Sequence, residues 1–326
     1  MRIGRRDVLT GGAAAFASPW FAPQDARSQL MRATTRLVVG FPPGGSGDLF
    51  ARILSPPLSE ELGRPIVVEN KPGGGGLTAA EGFLRAPPDG TQLLLATGSA
   101  AVTAPISRKE PPYNPVTDFS WIAHLSIAPF VIAVNPAVPA NDLKGLIEHA
   151  RRQAGKLSYG SAGIGTTVHL AGELLKETAG IDVRHVPYRG SGPAIIDTLS
   201  GEVAYIIETF GTLLQYHKAG TLRIICVMAE APSKIAPDIP TARQSGADVL
   251  AGTSNLLAAP INTPRDRLDP VASAVGRVMA RPAIQEQLLA TDIQPITTSN
   301  PDGARAYVTS EVARWKPIVD RLGLAL

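Results

Sequence analysis

From residue 35 onward, short apolar runs alternate with longer segments whose apolar residues recur at helical spacing. Residues 36–40 form the first such run and predict a buried β-strand, whereas residues 166–178 predict an amphipathic helix. Regular alternation of strands and helices is typical of proteins with a largely parallel sheet. The pattern therefore predicts an α/β fold.

The predicted elements cover most of the chain after residue 35. The predicted strands are residues 36–40, 65–69, 92–96, 157–160, 183–186, 203–207 and 222–228. The predicted helices are residues 77–85, 143–153, 166–178, 194–199, 267–280, 283–289 and 302–322. Two further apolar runs, residues 121–134 and 255–259, are placed to carry the chain out of a first domain and back into it.

A further helix is predicted to start near Asp48, a good N-cap residue, and it contains Pro56 and Pro57. Proline inside a helix removes a hydrogen bond and costs about 3 kcal/mol. We therefore expect this helix to break at the proline pair, with residues 58–62 as a separate turn.

Two glycine-rich turns, residues 40–48 and 160–167, each follow a predicted strand and precede a predicted helix. In this arrangement unpaired amide groups and the positive end of the helix dipole point at one place, which favours an anion. Neither turn contains Lys or Arg, so backbone N–H groups and hydroxyl groups would hold the anion. We predict that the turns face each other across a cleft and bind one small carboxylated ligand.

Three side chains near these turns have two interpretations each. Asp48 is either a helix cap or a carboxylate at the ligand. His169 lies in the first turn of its helix, where the dipole disfavours an imidazolium, so it is either a neutral brace for the loop or a neutral donor to the ligand. Arg189 could pair with a second carboxylate or could be a solvated loop residue.

Composition narrows the function further. The chain has 326 residues, of which 44% are hydrophobic and 18% charged, so it is long enough for two domains. Its 31 basic and 28 acidic residues are nearly balanced, which gives nucleic-acid binding little support.

A single cysteine, Cys226, excludes an internal disulfide and a zinc site built from several cysteines. We find no histidine pair at metal-ligand spacing, no catalytic triad motif and no convincing nucleotide motif, so we expect no metal, no cofactor and no catalytic residues.

Residues 1–26 have the features of an export signal. Arg5 and Arg6 begin a twin-arginine-like motif, and a small, apolar segment follows that is too short to span a bilayer. We expect the signal to be cleaved and the mature protein to be periplasmic, without a membrane-spanning segment.

Several motifs in one order resemble a single family. They are Phe41-Pro42-Pro43-Gly44-Gly45 with Asp48, Val67-Val68-Glu69-Asn70-Lys71-Pro72-Gly73, Gly163-x-Gly165 with His169, and Val186-Pro187-Tyr188-Arg189-Gly190. From about residue 37 to residue 322, the chain resembles the Bug receptors, the extracytoplasmic solute-binding proteins of tripartite tricarboxylate transporters. The resemblance implies a two-domain, type II periplasmic-binding-protein fold with two crossover strands and a central ligand cleft.

The resemblance also implies domains, partners and contact residues. Lobe 1 would comprise residues 33–130 plus 251–326, and lobe 2 residues 131–250. The receptor would be a monomer that delivers a small carboxylate ligand to a large and a small integral membrane subunit. The resemblance implies ligand contacts only within residues 41–48 and 161–169, and Ser99, Tyr188 and Thr209 are added because they lie at the ends of predicted strands. The expected ligand-binding residues are Phe41, Gly44, Gly45, Ser46, Asp48, Ser99, Ser161, Gly163, Gly165, Thr166, Thr167, His169, Tyr188 and Thr209.

One departure from the family pattern affects the expected pocket. Relatives usually have an acidic residue where Ala204 stands, whereas here Glu208 and Thr209 end that strand, so we expect the far wall of the pocket to differ. Two other functions remain open: a sensor that signals to a membrane kinase, and an exported enzyme that uses His169 and Asp48 as acid and base.

Overall fold

The computed structural model of the protein describes residues 34–325, and the predicted export signal lies outside this part of the chain. The strands are β1 (Thr35–Val39), β2 (Ile66–Asn70), β3 (Gln92–Thr97), β4 (Phe119–Val134), β5 (Ser158–Ser161), β6 (Arg184–Pro187), β7 (Tyr205–Thr209), β8 (Arg223–Val227), β9 (Gly252–Pro260) and β10 (Gln294–Pro295). The helices are α1 (Ser46–Leu62), α2 (Leu77–Leu84), α3 (Ala104–Ile106), α4 (Leu143–Arg152), α5 (Thr167–Ala179), α6 (Ser191–Ser200), α7 (Phe210–Lys218), α8 (Arg265–Met279), α9 (Pro282–Leu289) and α10 (Pro301–Arg321). A π-helical turn, Ser99–Thr103, precedes α3.

Two groups of strands define two lobes. In the first lobe β1 pairs in parallel with β2 and β3, and β9 joins the edge of β3 in the antiparallel direction. In the second lobe β5 pairs in parallel with β6 and β7. This is the α/β architecture that the alternation of apolar runs predicts.

The lobes are joined by β4, a 16-residue strand that is buried over nearly its whole length. Its first part, from Phe119 to Pro129, pairs antiparallel with β9. Its second part, from Phe130 to Val134, pairs with β7 and β8 of the second lobe. The chain therefore crosses between lobes on two adjacent strands, β4 and the segment that leads into β9.

The two crossing strands approach each other closely where they change lobes. A Cβ at Gly252 would lie 2.6 Å from the carbonyl oxygen of Ala128 on β4. Since real Cβ atoms do not come this close to a backbone oxygen, only glycine fits at this position.

The expected break in α1 is wrong, because the helix runs without interruption from Ser46 to Leu62 with both prolines inside it. Phe50 and Leu54 before the prolines, and Leu58 after them, are buried in the core of the first lobe. Both halves of the helix thus pack on the same sheet, and tertiary packing overrides the local preference of the two prolines.

Within residues 34–325, no helix combines the length and the apolar character that a membrane span requires.

Candidate functional site

Residues at or just after the carboxyl ends of β1, β3, β5, β6 and β7 line the space between the lobes, where open α/β sheets bind ligands. Two neighbouring cavities lie there. The inner cavity reaches the crossing strands at Phe130 and Thr253, and the outer cavity opens between the loops farther from them. Both cavities are lined by residues of each lobe, and they share Phe41 and Ala162.

The inner cavity has a volume of about 30 Å³, which is room for about two water molecules. Its walls carry hydroxyl groups and one carboxyl group, and no Lys or Arg lines it among the described residues. The lining residues are Phe41, Pro42, Gly45, Ser46, Gly47, Thr97, Ser99, Phe130, Ala162, Val168, Ser191, Glu208 and Thr253.

The outer cavity is larger, with a volume of about 290 Å³, close to the lower end of the usual range for small-molecule sites of roughly 300–1,000 Å³. Arg108 and Arg189 bring two guanidinium groups to its wall, and neither forms an ion pair within residues 34–325. The remaining lining residues are Gly40, Phe41, Gly73, Gly74, Gly75, Ala162, Gly163, Ile164, Pro187 and Tyr188.

In the first glycine-rich turn, Asp48 braces the loop. Its carboxylate accepts hydrogen bonds from Gly44 N (3.0 Å), from Arg52 Nε (2.8 Å) and from Asn70 Nδ2 (3.0 Å). Burial opposes ionisation of this carboxyl, but these hydrogen bonds outweigh it and hold its pKa below the usual value. Asp48 is thus an ionised side chain that shapes the turn, and it lines neither cavity.

The start of α1 differs from the start of α5 in how its amide groups are satisfied. No side chain caps the N-terminus of α1, which begins after Gly45 and points into the inner cavity through Ser46 and Gly47. At α5, by contrast, the Thr166 hydroxyl accepts a hydrogen bond from His169 N. The start of α1 therefore lacks the side-chain cap that α5 has, and its first residues line the inner cavity.

His169 is buried and 6% exposed. Its Nδ1 accepts a hydrogen bond from Gly165 N at 3.2 Å, and its ring stacks on His185 at 4.1 Å between centroids. Burial lowers the pKa of His169 to about 4, so the ring is neutral at physiological pH. Because it lines neither cavity, the geometry favours its role as a brace for the loop over a role as donor to a ligand.

The lobes touch through small residues and hydroxyl groups. Thr167 N of the second lobe donates to Ser99 Oγ of the first lobe at 3.1 Å, and the Thr167 hydroxyl lies 3.2 Å from that of Thr103. A Cβ added at Gly190, whose φ is +124°, would lie 2.5 Å from Cγ of Pro42. These contacts show that the lobes are closed on each other, which explains the small inner cavity.

Glu208, at the carboxyl end of β7, places a carboxyl group in the wall of the inner cavity. It is 3% exposed, and it accepts hydrogen bonds from the Ser191 hydroxyl and from its neighbour Thr209 N at 2.8 Å. Burial raises the pKa of Glu208, although the hydrogen bonds from Ser191, Thr209 and Ser46 act in the opposite direction.

The structure brings some of the predicted ligand-binding residues together at the cavities and places others behind them. Those at the inner cavity are Phe41, Gly45, Ser46 and Ser99, and those at the outer cavity are Phe41, Gly163 and Tyr188. Gly44, Asp48, Ser161, Gly165, Thr166, Thr167, His169 and Thr209 line neither. Several of these brace the turns, as Ser161 does through its hydroxyl, which lies 2.6 Å from His185 Nε2.

Sequence analysis did not predict Arg108 or residues 73–75 at the outer cavity. Arg108 follows α3 on a long connection, and no local pattern indicates that it returns to the cleft. Residues 73–75 belong to a run of four glycines, residues 73–76, that follows a predicted strand, and this run is a signal that could have indicated a ligand contact. Within the described residues, no cluster of three or more His, Cys, Asp or Glu side chains is arranged to hold a metal ion.

Comparisons with known proteins agree with this architecture. The sequence profile of the tripartite tricarboxylate transporter family receptor (TctC) matches residues 50–324. The structure of the periplasmic binding protein BugD has 31% sequence identity and a TM-score of 0.86, with 90% of this chain and 98% of that chain covered.

Two structures from Rhodopseudomonas palustris have ligands named with them. One, with adipate, has 27% identity and a TM-score of 0.87 over 90% of this chain and 98% of its own. The other, MatC with bound malate, has 26% identity and a TM-score of 0.84 over 88% of this chain and 99% of its own. These likenesses confirm the predicted family and the two-domain periplasmic-binding-protein fold, and the chain belongs to the Bug family of tripartite tricarboxylate transporter receptors.

Proposed function

We propose that this protein is an exported receptor that captures a small carboxylate-containing solute between its lobes and delivers it to a tripartite tricarboxylate-type membrane transporter. It performs no catalysis. The observation that carries the proposal is the pair of cavities at the carboxyl ends of the strands, since both lobes line each of them.

The charges and dipoles at the outer cavity favour a carboxylate there. Arg108 and Arg189 supply two positive charges, and an Arg guanidinium can hold a carboxylate by two parallel hydrogen bonds. Glycines at residues 73–75 and at Gly163 let the backbone approach a ligand without an intervening Cβ. The relatives with adipate and with malate hold dicarboxylic acids, which supports the same ligand class for this chain.

The closed arrangement implies that binding includes a movement of the lobes. The inner cavity has about 30 Å³, so a solute of several carbon atoms enters only after the lobes separate. A solute that contacts both lobes then favours the closed state, because only differential affinity shifts such an equilibrium. The crossing strands β4 and β9 are the place for this hinge, and we propose lobe boundaries there: residues 33–130 plus 251–326, and residues 131–250.

We propose that the solute contacts Phe41, Ser46, Ser99 and Gly163 directly, and that Asp48 and His169 act by bracing the turns. The enzyme alternative receives no support from this arrangement. Asp48 is fully engaged by Arg52, Gly44 and Asn70, and His169 lies outside both cavities.

The first test is to express the full chain with its leader, recover it from the periplasm and record native mass spectra. We expect a retained molecule that carries at least one carboxyl group, and isothermal titration with that compound after its removal should give one site per chain. A retained molecule without a carboxyl group, together with no binding of C4 to C6 dicarboxylates, would overturn the proposal.

Delivery to a transporter needs a separate experiment, because a sensor would bind its ligand between the lobes in the same way. Uptake of the labelled solute should depend on this receptor and on both the large and the small membrane subunit. If deletion of the receptor abolishes a transcriptional response but leaves uptake intact, sensing and not transport is its role.

A further inference from the structure

A third cavity lies at the crossing strands, on the side away from the solute cleft. Ile127 and Pro129 of β4 line it, whereas Phe130 of the same strand lines the inner cavity. Successive side chains of a strand point to opposite faces of the sheet, so β4 separates the two spaces. Among the described residues, this third cavity shares no lining residue with the inner or the outer cavity. We call it the hinge cavity.

The hinge cavity has the size and the walls of a small-molecule site. Its volume is about 390 Å³, within the usual range of roughly 300–1,000 Å³. Most of its wall is apolar, and Ile127, Pro129, Met228 and Leu250 contribute to it. Strand β8 and the segment after it line one side, and β10 lines the other, so an occupant contacts both lobes.

Asp292, in the turn that precedes β10, places a buried carboxyl group in this wall. The residue is 4% exposed, and the Ser233 hydroxyl donates a hydrogen bond to its carboxyl group. Within residues 34–325, however, Asp292 Oδ2 has no hydrogen-bond partner. A buried polar atom without a partner is unfavourable, and the terminal torsion of aspartate is soft enough to turn the oxygen toward a neighbouring group. A molecule in the cavity can supply the missing partner.

The other charged groups of the wall are exposed or already engaged. Arg314 donates to the carbonyl oxygen of Leu250 at 2.8 Å and forms an ion pair with Glu311 at 3.3 Å. Glu230 and Lys234 are exposed. The buried part of the cavity therefore offers apolar surface and one carboxyl group.

A hydroxyl group is the partner that suits this carboxyl group best. Burial raises the pKa of Asp292, although the hydrogen bond from Ser233 acts in the opposite direction. A hydroxyl donates to a carboxylate and accepts from a carboxylic acid, so it serves both protonation states. An ammonium group, by contrast, only donates and would have to leave water as a charge.

We propose that the hinge cavity is a second binding site, which takes a small, uncharged, apolar molecule whose single hydroxyl group bonds to Asp292. Its ligand needs no carboxylate, and the site is separate from the cleft that takes the solute.

Met228 allows binding at this site to be observed directly. It is buried in the wall of the hinge cavity, whereas Met279 is buried in α8 and does not line it. We label the methionine methyl groups of the protein recovered from the periplasm with carbon-13 and titrate it with 4-ethylphenol. An aromatic ring in the cavity should shift the Met228 methyl signal in a saturable way and leave that of Met279 unchanged, and the variant Met228→Leu assigns the signal. Absence of a saturable shift up to the solubility limit of the compound would overturn the proposal.

A matched hydrocarbon tests the hydroxyl group. In 1-ethyl-4-methylbenzene a methyl group replaces the hydroxyl group of 4-ethylphenol and the shape is kept. We expect the wild-type protein to bind 4-ethylphenol at least as tightly as the hydrocarbon, because Asp292 compensates for the lost hydration of the hydroxyl group. If the hydrocarbon binds more than about tenfold more tightly, the site is purely apolar and the proposed class of ligand is wrong. This comparison uses the wild-type protein and does not depend on the folding of any variant.

Substitution Asp292→Gly removes the carboxyl group at a backbone position that glycine adopts readily, since φ there is +59°. We expect it to weaken binding of 4-ethylphenol by about tenfold and to change binding of the hydrocarbon by less than about twofold. Asn262→Gly is the matched control, because φ is +65° there and the residue lies outside the hinge cavity. The control should leave both affinities unchanged, and a circular dichroism melt verifies that each variant is folded. If folded Asp292→Gly weakens both compounds equally or neither of them, Asp292 does not bind the hydroxyl group and the proposal fails.

Discussion

At the scale of single residues, two buried histidines and one half-buried histidine set how the protein responds to acid. Burial lowers the pKa of His124 to about 4, of His169 to about 4 and of His185 to about 3. Each is neutral in the folded protein down to that pH, whereas in the unfolded chain a histidine takes up a proton near pH 6.5. The unfolded state therefore binds more protons below pH 6.5, and the folded state loses stability as the pH falls.

We predict that the free energy of unfolding is constant from pH 8 to pH 7 and falls between pH 6.5 and pH 4. For a histidine whose pKa is lowered to about 4, the loss at pH 5 is about 2 kcal/mol. The substitution His124→Phe keeps a ring against Tyr307, whose centroid lies 3.8 Å away, and removes the titrating group. Urea unfolding at pH 7 and pH 5 should show a loss about 2 kcal/mol smaller for this variant than for wild type; equal losses would show that His124 does not act in this way.

For single residues, sequence analysis predicted which side chains lie at the turns better than it predicted whether they contact the ligand. Asp48 and His169 are at the turns where the motifs place them, but each is tied down by hydrogen bonds from its own lobe. A side chain near a ligand and a side chain that braces the ligand loop have the same local sequence, so the pattern cannot separate them. Arg108 reaches the cleft only through tertiary structure, and its neighbours in sequence give no indication of it.

At the scale of elements, helix α5 packs on β5 so closely that one position must lack a side chain. A Cβ at Gly172 would lie 2.4 Å from the ring of Tyr159. Tyr159 is fully buried, and its hydroxyl donates to the carboxylate of Glu173 at 2.9 Å, so the ring has no free space to move into.

We predict opposite effects for the same substitution in two helices. Gly172→Ala should destabilise the protein by about 1–3 kcal/mol, because it overpacks the core at Tyr159. Gly276→Ala, in the interior of α8 with no atom within 4 Å of the new Cβ, should stabilise it by about 0.5–1 kcal/mol. Urea unfolding of both variants measures the difference, and stabilisation by Gly172→Ala would contradict the packing argument.

Most elements were predictable from sequence because their apolar residues recur at one clear period. Two exceptions have different causes. Helix α1 continues through Pro56 and Pro57 because Phe50, Leu54 and Leu58 pack on one sheet. Helix α7, Phe210–Lys218, was not predicted, since it follows β7 directly and has little sequence between the two elements to mark its start.

At the scale of the whole molecule, closure depends on how near two backbones can come. Gly190, at the start of α6, faces the ring of Pro42 across the lobe interface. We predict that Gly190→Ala holds the lobes apart and weakens binding of the tightest carboxylate solute by about tenfold or more. Isothermal titration gives the affinity, and small-angle scattering with saturating solute should show a larger radius of gyration than for wild type.

Two controls separate the steric contact from other effects of the same substitution. Gly192→Ala lies on the same helix, where the nearest atom to the new Cβ is the oxygen of Pro43 at 4.0 Å. Gly44→Ala introduces strain at a φ of +87° without any atom within 4 Å. If either control weakens binding as much as Gly190→Ala, the contact with Pro42 is not the cause.

The fold as a whole was predictable because strand–helix alternation and ordered motifs extend over nearly the entire chain. The sequence predicted that two lobes face each other across a cleft, but it did not predict which side chains meet there. Whether hydroxyl groups such as those of Ser99 and Thr167 meet across the cleft depends on closure, which no local pattern encodes.

The crossing on adjacent strands has an evolutionary consequence. Pro129 pairs with Gly252, and the amide of Phe130 donates to the carbonyl of Ala251 at 3.0 Å, so the chain departs and returns at neighbouring points. Residues 131–250 thus form an insertion whose first and last residues are adjacent in space. Recombination that exchanges this insertion between related receptors would preserve the pairing of the remaining strands. A change in solute preference then requires replacement of only one of the two lobes.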